Sequence, residues 1–259
     1  MPRGTLIRST HWPTELVLVR HGESMGNLAD NEAREHKAER LQIELRDADV
    51  PLSDTGQQQA DAVGGFLAGL AEDEWPQLVV CSPYRRAAET AERALSAAGA
   101  DDRQQELVID ERLRERDLGA FDRLTWRGIE AEYAEEAERR NHVGKFYYQP
   151  PSGESWCDVT LRVRSLLADL REGYEGRRVW LFTHQAVIMS FRYVLENLTE
   201  QELLDIDKRE RLPNCSMTTY CAADRTMDLV TFADTQAVDR SAAEPTAEPT
   251  KSERTGHDA

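Results

Sequence analysis

The fold of this 259-residue chain is decided by the stretch Glu15-Leu16-Val17-Leu18-Val19-Arg20-His21-Gly22-Glu23-Ser24-Met25-Gly26-Asn27. It opens with a short run of apolar and β-branched residues, typical of a buried strand, and the run stops at an Arg-His-Gly corner. In open α/β sheets, ligands bind beyond the carboxyl ends of the strands. We therefore expect Arg20 and His21 to face a crevice at the edge of a sheet.

Two later apolar runs end in residues of the same kind. Residues 77–81 lead into Ser82-Pro83-Tyr84-Arg85-Arg86, and residues 178–183 lead into His184-Gln185. A helical spacing of apolar residues follows each run, with Pro83 suited to a first helical turn, so each makes a βα unit of the kind that builds parallel sheets. The pattern predicts an α/β fold in which two histidines and several arginines meet at one pocket.

Two segments between the first and second apolar runs are predicted to have structural roles, one at the surface and one in packing against the sheet. Residues 28–50 are rich in charge and have little apolar face, which favours a solvated helix and loop over a direct role in the site. A helix is predicted after Ser53, and Gly65 and Gly69 lie one turn apart in it. That spacing favours close packing against a sheet.

The chain is expected to form a single domain over residues 1–234. Within it, residues 121–153 form a partly helical, lid-like excursion over the pocket, whose aromatic side chains either line the pocket or pack beneath the excursion. Residues 214–222 and 227–233 predict a closing hairpin. Residues 235–259 are mostly Ala, Glu, Pro, Thr, Ser and Asp, so a disordered acidic tail is predicted there.

The bulk composition limits the classes of partner. A formal charge of −16 argues against a general nucleic-acid binder, since phosphate backbones are held by basic faces. The sequence shows neither a signal peptide nor an apolar stretch long enough to span a bilayer, so we expect a cytoplasmic protein without membrane contact. The cysteines and histidines match no zinc template, and no metal site is expected. A homodimer remains compatible with the sequence.

The residues at the strand ends suit phosphoryl transfer. Neutral imidazole is a competent nucleophile toward phosphorus, and nearby guanidinium groups help to keep it unprotonated. Planar guanidinium donors also match the three equatorial oxygens of a phosphoryl group in flight. Each of these residues has a structural alternative when taken alone, and the coincidence of three strand ends is what favours a functional site.

Five short motifs follow one another along the chain: Arg20-His21-Gly22-Glu23-Ser24, Leu52-Ser53-Asp54-Thr55-Gly56, Ser82-Pro83-Tyr84-Arg85-Arg86-Ala87-Ala88-Glu89-Thr90-Ala91, Leu113-Arg114-Glu115 and Thr183-His184. In this order they resemble the signature of the histidine phosphatase superfamily, also called phosphoglycerate mutase-like. The resemblance implies a three-layer α/β/α fold with a mostly parallel central sheet.

The resemblance also implies a set of roles. His21 is the catalytic nucleophile that takes the phosphoryl group, and Glu115 is the acid that protonates the leaving oxygen. The second catalytic histidine, His184, holds the phosphoryl oxygens together with the phosphate-binding residues Arg20, Arg86 and Asn27. Neither a metal nor a cofactor is required.

Departures from the family's subgroups bear on the reaction. The stretch Glu115-Arg116-Asp117-Leu118-Gly119 lacks the His-Tyr pair that is usual in phosphoglycerate mutases, whereas His184-Gln185 and Ser152-Gly153-Glu154-Ser155 resemble fructose-2,6-bisphosphatase domains. We therefore expect a metal-independent phosphatase that hydrolyses a small phosphorylated metabolite through phosphohistidine. The alternatives are a phosphoglycerate-type phosphomutase, a protein phosphatase and a non-catalytic protein that binds a phosphorylated ligand.

Overall fold

The computed structural model describes residues 11–100 and 107–248, and the strands in these ranges form one six-stranded sheet. The strands are β1 (Glu15–Arg20), β2 (Leu78–Cys81), β3 (Leu107–Ile109), β4 (Arg178–Thr183), β5 (Met217–Ala223) and β6 (Thr226–Asp234). Their order across the sheet is β3-β2-β4-β1-β5-β6. The pairings among β1 to β4 are parallel, while β5 pairs antiparallel with both β1 and β6. The mostly parallel sheet and the closing hairpin are confirmed.

The register brings the carboxyl ends of the central strands to one edge. Arg20 of β1 lies opposite Thr183 of β4, and Cys81 of β2 lies opposite Phe182. Backbone hydrogen bonds continue one residue further, from the His21 N–H to the Thr183 carbonyl at 3.0 Å. The residues that follow β1, β2 and β4 are therefore neighbours.

Helices lie on the two faces of the sheet. They are α1 (Met25–Glu35), α2 (Asp54–Ala68), α3 (Arg85–Ala97), α4 (Trp126–Glu132), α5 (Ala134–Val143), α6 (Trp156–Gly173), α7 (Gln185–Leu195), α8 (Glu200–Arg209) and α9 (Gln236–Asp239). Successive side chains of a strand point to opposite faces of its sheet. Leu16 and Leu18 accordingly pack with α6 and α7, whereas Val17 and Val19 pack with α2 and α3. Helices therefore cover both faces of the sheet, as a three-layer α/β/α fold requires.

Local differences from the sequence-based expectations have simple physical reasons. Helix α3 begins at Arg85, because the chain from Ser82 to Tyr84 turns over the strand end before it enters the helix. The packing against the sheet predicted for Gly65 and Gly69 is not found; the close approach is made by Gly64 to helix α3, where an added Cβ would lie 2.6 Å from the Ala94 carbonyl oxygen. An added Cβ at Gly65 would meet nothing within 4 Å.

The excursion over residues 121–153 contains α4 and α5. Phe121 and Tyr148 form a small buried cluster with Leu124, and Phe146 packs in a separate cluster against α7 and α8. Trp126 and Tyr147 remain exposed. Most of the aromatic residues of the excursion therefore pack beneath it.

The segment that follows β6 differs from the disordered tail predicted for residues 235–259. Residues 235–248 continue as an ordered strap that includes α9, and Ala237 and Val238 are buried in the apolar cluster that contains α2. The prediction was wrong here because two small apolar residues suffice to fill a groove in an otherwise polar segment. Residues 249–259 lie outside the described residues.

Other expectations concern features that would bind membranes or metals. In the part of the chain that the structure describes, no helix has the length and apolar character needed to cross a membrane. Within the same residues, His, Cys, Asp and Glu side chains form no group of three or more that could hold a metal ion. All four cysteines are free thiols.

Candidate active site

The corner after β1 is built by a close contact between two glycines. An added Cβ at Gly22 would lie 2.5 Å from the Gly56 carbonyl oxygen, and one at Gly56 would lie 1.9 Å from the Glu23 carbonyl oxygen. The first turn of α2 therefore packs directly on the backbone of the corner. The Gly22 N–H donates to the Thr90 hydroxyl at 3.0 Å, which ties the corner to α3 as well.

His21 lies buried at this corner with a defined ring orientation. Its Nδ1 lies 2.8 Å from the Gly22 carbonyl oxygen. A carbonyl can only accept, so Nδ1 carries the hydrogen and Nε2 of the neutral ring keeps its lone pair. Burial, followed by the charges of Arg86 and Arg20, holds the pKa of His21 well below its ordinary value. The imidazole is therefore neutral and nucleophilic at Nε2.

His184 follows β4, and its ring centroid lies 5.1 Å from that of His21. Its Nε2 lies 2.8 Å from the hydroxyl of Ser82, the residue that follows β2. Among the described residues, its buried Nδ1 has no hydrogen-bond partner. Burial and the Arg86 charge lower the pKa of His184 as well, so the site holds two neutral imidazoles side by side.

Arg20 and Asn27 present donors beside His21. The Arg20 side chain is buried, and one of its terminal nitrogens donates to the Leu212 carbonyl. Asn27 forms a capping box with Ser24 at the start of α1, in which its side-chain oxygen accepts the Ser24 N–H at 3.0 Å. This contact uses the side-chain oxygen and leaves the Asn27 Nδ2 to donate elsewhere. Both the other Arg20 terminal nitrogen and Asn27 Nδ2 donate to Glu248.

Arg86 lies in the first turn of α3 and contacts a residue from the charged segment after α1. It donates to the carboxylate of Asp47 at 2.9 and 3.3 Å and to the Asp47 carbonyl at 2.7 Å. Asp47 belongs to a short 3-10 turn at Asp47–Asp49. The interpretation of residues 28–50 as a surface excursion therefore holds for most of the segment and fails at Asp47.

Glu115 lies on the loop after β3, next to the ends of the central strands. The Thr183 hydroxyl donates to the Leu113 carbonyl at 2.7 Å and links this loop to β4. Burial raises the pKa of Glu115, against the opposing effects of the Arg116 N–H at 2.8 Å and the charge of Arg86. The carboxyl group is therefore held closer to its protonated form than an exposed glutamate would be.

A pair of charged residues positions the Glu115 loop. Arg162 of α6 donates to the Arg112 carbonyl at 2.6 Å and to the Glu115 carbonyl at 3.3 Å. Glu154 forms ion pairs with Arg162 and Arg114 and accepts the Asp117 N–H. These contacts fix the loop that carries Glu115 to the N-terminal end of α6.

The structure brings the six residues singled out in the sequence to one edge of the sheet. Sequence reasoning did not single out several residues that contact them, among them Asp47, Ser82, Asn214 and Glu248. Ser82 lies inside a quoted motif, and its place at the end of β2 was the available signal. Asp47 and Glu248 are acidic residues among many, and no local pattern distinguishes them.

Comparison with known proteins places this architecture in a family. The sequence profile of the histidine phosphatase superfamily (branch 1) matches residues 16–235. The chain therefore belongs to the histidine phosphatase superfamily. Phosphatases and mutases are both found among its relatives, so phosphoryl transfer is the chemistry they share.

Three similar proteins illustrate the range of activities named among the relatives. The bifunctional protein Rv2228c of Mycobacterium tuberculosis is 33% identical over 193 residues, which cover 71% of this chain and 45% of that protein. The chain thus spans less than half of that relative. A 2,3-bisphosphoglycerate-dependent phosphoglycerate mutase of Sinorhizobium fredii is 31% identical over 204 residues, 76% of this chain and 87% of the mutase. Among solved structures, mycobacterial glucosyl-3-phosphoglycerate phosphatase Rv2419c with VO3 is similar, with a TM-score of 0.66 and 27% identity, over 85% of this chain and 99% of the other.

Proposed function

We propose that this protein is a metal-independent phosphomonoesterase that acts through phosphohistidine at His21. The observation that carries the proposal is a neutral imidazole with a free Nε2, next to a second imidazole and two arginines, and near a carboxyl group with a raised pKa. The site therefore contains a neutral nucleophile, cationic donors for the phosphoryl oxygens and a carboxyl group that can donate a proton.

In the first step, the Nε2 lone pair of His21 attacks phosphorus as the ester P–O bond breaks. Protonated Glu115 gives its proton to the leaving oxygen, which becomes an alcohol. The His21 ring acquires positive charge, and the Gly22 carbonyl, already 2.8 Å from Nδ1, stabilises it. Arg20, Arg86 and Asn27 donate to the phosphoryl oxygens.

We assign to His184 the tautomer in which the Ser82 hydroxyl donates to Nε2. That hydroxyl already accepts the Tyr84 N–H at 3.1 Å, so it can donate toward the ring. Nδ1 then carries the hydrogen, and this buried N–H is available to a phosphoryl oxygen. A phosphoryl group would thus satisfy the donor of His184.

In the second step, water attacks phosphohistidine. The new P–O bond forms as the P–N bond breaks, and the ionised Glu115 takes the proton from water. Inorganic phosphate leaves, and both His21 and Glu115 return to their starting forms. The same carboxyl group therefore serves as acid and then as base.

The loop next to Glu115 favours hydrolysis over mutase chemistry. Asp117 and Leu118 stand where phosphoglycerate mutases usually carry His-Tyr, and the Asp117 carboxylate accepts the Gly119 N–H at 2.7 Å. An exposed carboxylate at this position repels an acidic sugar substrate. A phosphoglycerate-type mutase remains the second candidate because of the Sinorhizobium fredii relative, and it would depend on a bisphosphate primer.

The test is hydrolysis of an aryl phosphate in excess chelator by the native protein and by His21→Ala. We expect turnover that resists the chelator and is lost in the variant. Turnover that stops in chelator would contradict metal independence, and turnover that survives in His21→Ala would contradict the role of His21. A requirement for 2,3-bisphosphoglycerate would favour the mutase.

A further inference from the structure

The strap of residues 235–248 runs from the end of β6 to the candidate active site. Ala237 and Val238 of α9 anchor its start in the apolar cluster that also contains Val63 and Leu67 of α2. Further along, the Gln59 side-chain amide donates to the Glu244 carbonyl at 2.7 Å and to the Thr246 hydroxyl at 2.8 Å. The strap is therefore fixed to α2 at both ends.

The strap is fastened to the residues that hold the His21 corner. Gln59 accepts the Glu23 N–H at 2.9 Å with its other side-chain atom. The Asn214 backbone N–H donates to the Thr246 carbonyl at 2.9 Å, while its side chain donates to the His21 carbonyl at 3.1 Å. Gln59 and Asn214 therefore each hydrogen-bond to both the strap and the corner.

The strap delivers one carboxylate oxygen to the proposed phosphate donors. Oε1 of Glu248 accepts from an Arg20 terminal nitrogen at 2.8 Å and from Asn27 Nδ2 at 2.9 Å. The Arg20 side chain is only 2% exposed, so this ion pair is largely removed from water. Carboxylate and phosphoryl oxygens are both anionic acceptors that match a guanidinium. The same two donors cannot hold Glu248 and a phosphoryl oxygen in the same place.

We propose that Glu248 is an internal ligand of the phosphate pocket that competes with the substrate's phosphoryl group. This proposal rests on the proposed function, because that function assigns Arg20 and Asn27 to phosphate. Substrate binds after the carboxylate leaves, so the apparent affinity is reduced by the fraction of molecules in which the pocket is free. The strap thereby restrains the enzyme, and whatever lifts it from α2 raises the affinity for phosphate.

The test is a calorimetric titration with inorganic phosphate of the native full chain, Glu248→Gln and Glu244→Gln. The amide at position 248 keeps the shape of the side chain and removes its charge. If the carboxylate occupies the donors most of the time, the variant binds phosphate about fivefold more tightly or better. Glu244→Gln is the matched control, since it removes one carboxylate from the same strap and leaves the Glu244 carbonyl contact in place. We expect native affinity for it.

The outcomes separate this proposal from the proposed function. Equal or weaker phosphate binding by Glu248→Gln would overturn the competition, even if both proteins hydrolyse aryl phosphates. Tighter binding without turnover in any protein would support the competition and contradict the phosphatase. Absence of phosphate binding in all three proteins would overturn the competition, while the aryl phosphate assay decides the proposed function separately. Glu248→Ala serves as a second variant, and thermal unfolding checks that each variant is folded.

Discussion

The contact between α2 and the His21 corner predicts opposite effects for one substitution at two glycines of the same helix. In Gly56→Ala, the new Cβ would lie 1.9 Å from the Glu23 carbonyl oxygen, whereas ordinary contacts begin near 3.4 Å. The first turn of α2 or the corner must therefore shift by about 1.5 Å, and both partners are backbone. In Gly65→Ala, the new Cβ meets nothing within 4 Å.

The expected magnitudes follow from these distances. Overpacking costs about 1–3 kcal/mol, and the rigid backbone partner puts Gly56→Ala at about 3 kcal/mol, a fall in Tm of roughly 6–12 °C. Gly65→Ala should instead stabilise the exposed face of α2 by about 0.5–1 kcal/mol, because alanine loses less conformational entropy in a helix. Since misplacing a reacting group by about 1 Å can cost about 100-fold in rate, Gly56→Ala should also lose most of its activity.

The assay is urea unfolding together with the kcat for an aryl phosphate, measured on both variants and the native protein. Gly65→Ala should keep native activity because it changes neither the corner nor the contacts of α2 with α3. Native stability in Gly56→Ala would refute the claim that this contact builds the corner. Equal destabilisation by both substitutions would show that the loss of stability comes from changing any glycine of α2 and does not depend on the contact with the corner.

Further substitutions test the other contacts. Glu115→Gln should slow phosphoenzyme formation from alkyl phosphates by about 100-fold or more and spare its formation from aryl phosphates, whose leaving groups need no proton; equal losses in this first step would contradict the acid role. Stability should fall below about pH 6.5, by about 1.4 kcal/mol per pH unit for each of His21 and His184, because both stay neutral in the fold and gain a proton on unfolding. Urea unfolding between pH 7 and 5 checks this, and His21→Gln should halve the slope. Glu154→Gln breaks half-buried ion pairs and should cost on the order of 1–2 kcal/mol in urea unfolding, with a lower kcat for alkyl phosphates because Glu115 loses its positioning; native values of both would contradict that role. Val238→Ala should cost about 1–2 kcal/mol, whereas a strap that packs on nothing would show no change.

The central strands and the residues at their ends were predictable because their signals are local. The apolar run before Arg20 specifies a buried strand, and a parallel sheet carries the ends of its strands to one edge. Arg86 and His184 follow two further apolar runs, so a parallel sheet places them at the same edge as Arg20. A short window of sequence contains all that these predictions require.

The contacts of Asp47 and Glu248 were not predictable for the opposite reason. Each pairs with an arginine far away in the sequence, and the chain contains 48 acidic residues from which composition selects none. The burial of Val238 depends on a groove beside α2 that exists only in the folded protein. Such contacts are decided by tertiary geometry, which leaves no periodic trace in the sequence.

The central claim is that His21 carries the phosphoryl group. The most direct measurement is rapid quenching of the reaction with a ³²P-labelled phosphomonoester at alkaline pH, where phosphohistidine is retained, followed by identification of the labelled peptide. We predict label on His21 in the native protein, its accumulation in Glu115→Gln with an aryl phosphate because the base for the second step is missing, and no label in His21→Gln. Turnover without label on His21, or label on another residue, would contradict the mechanism.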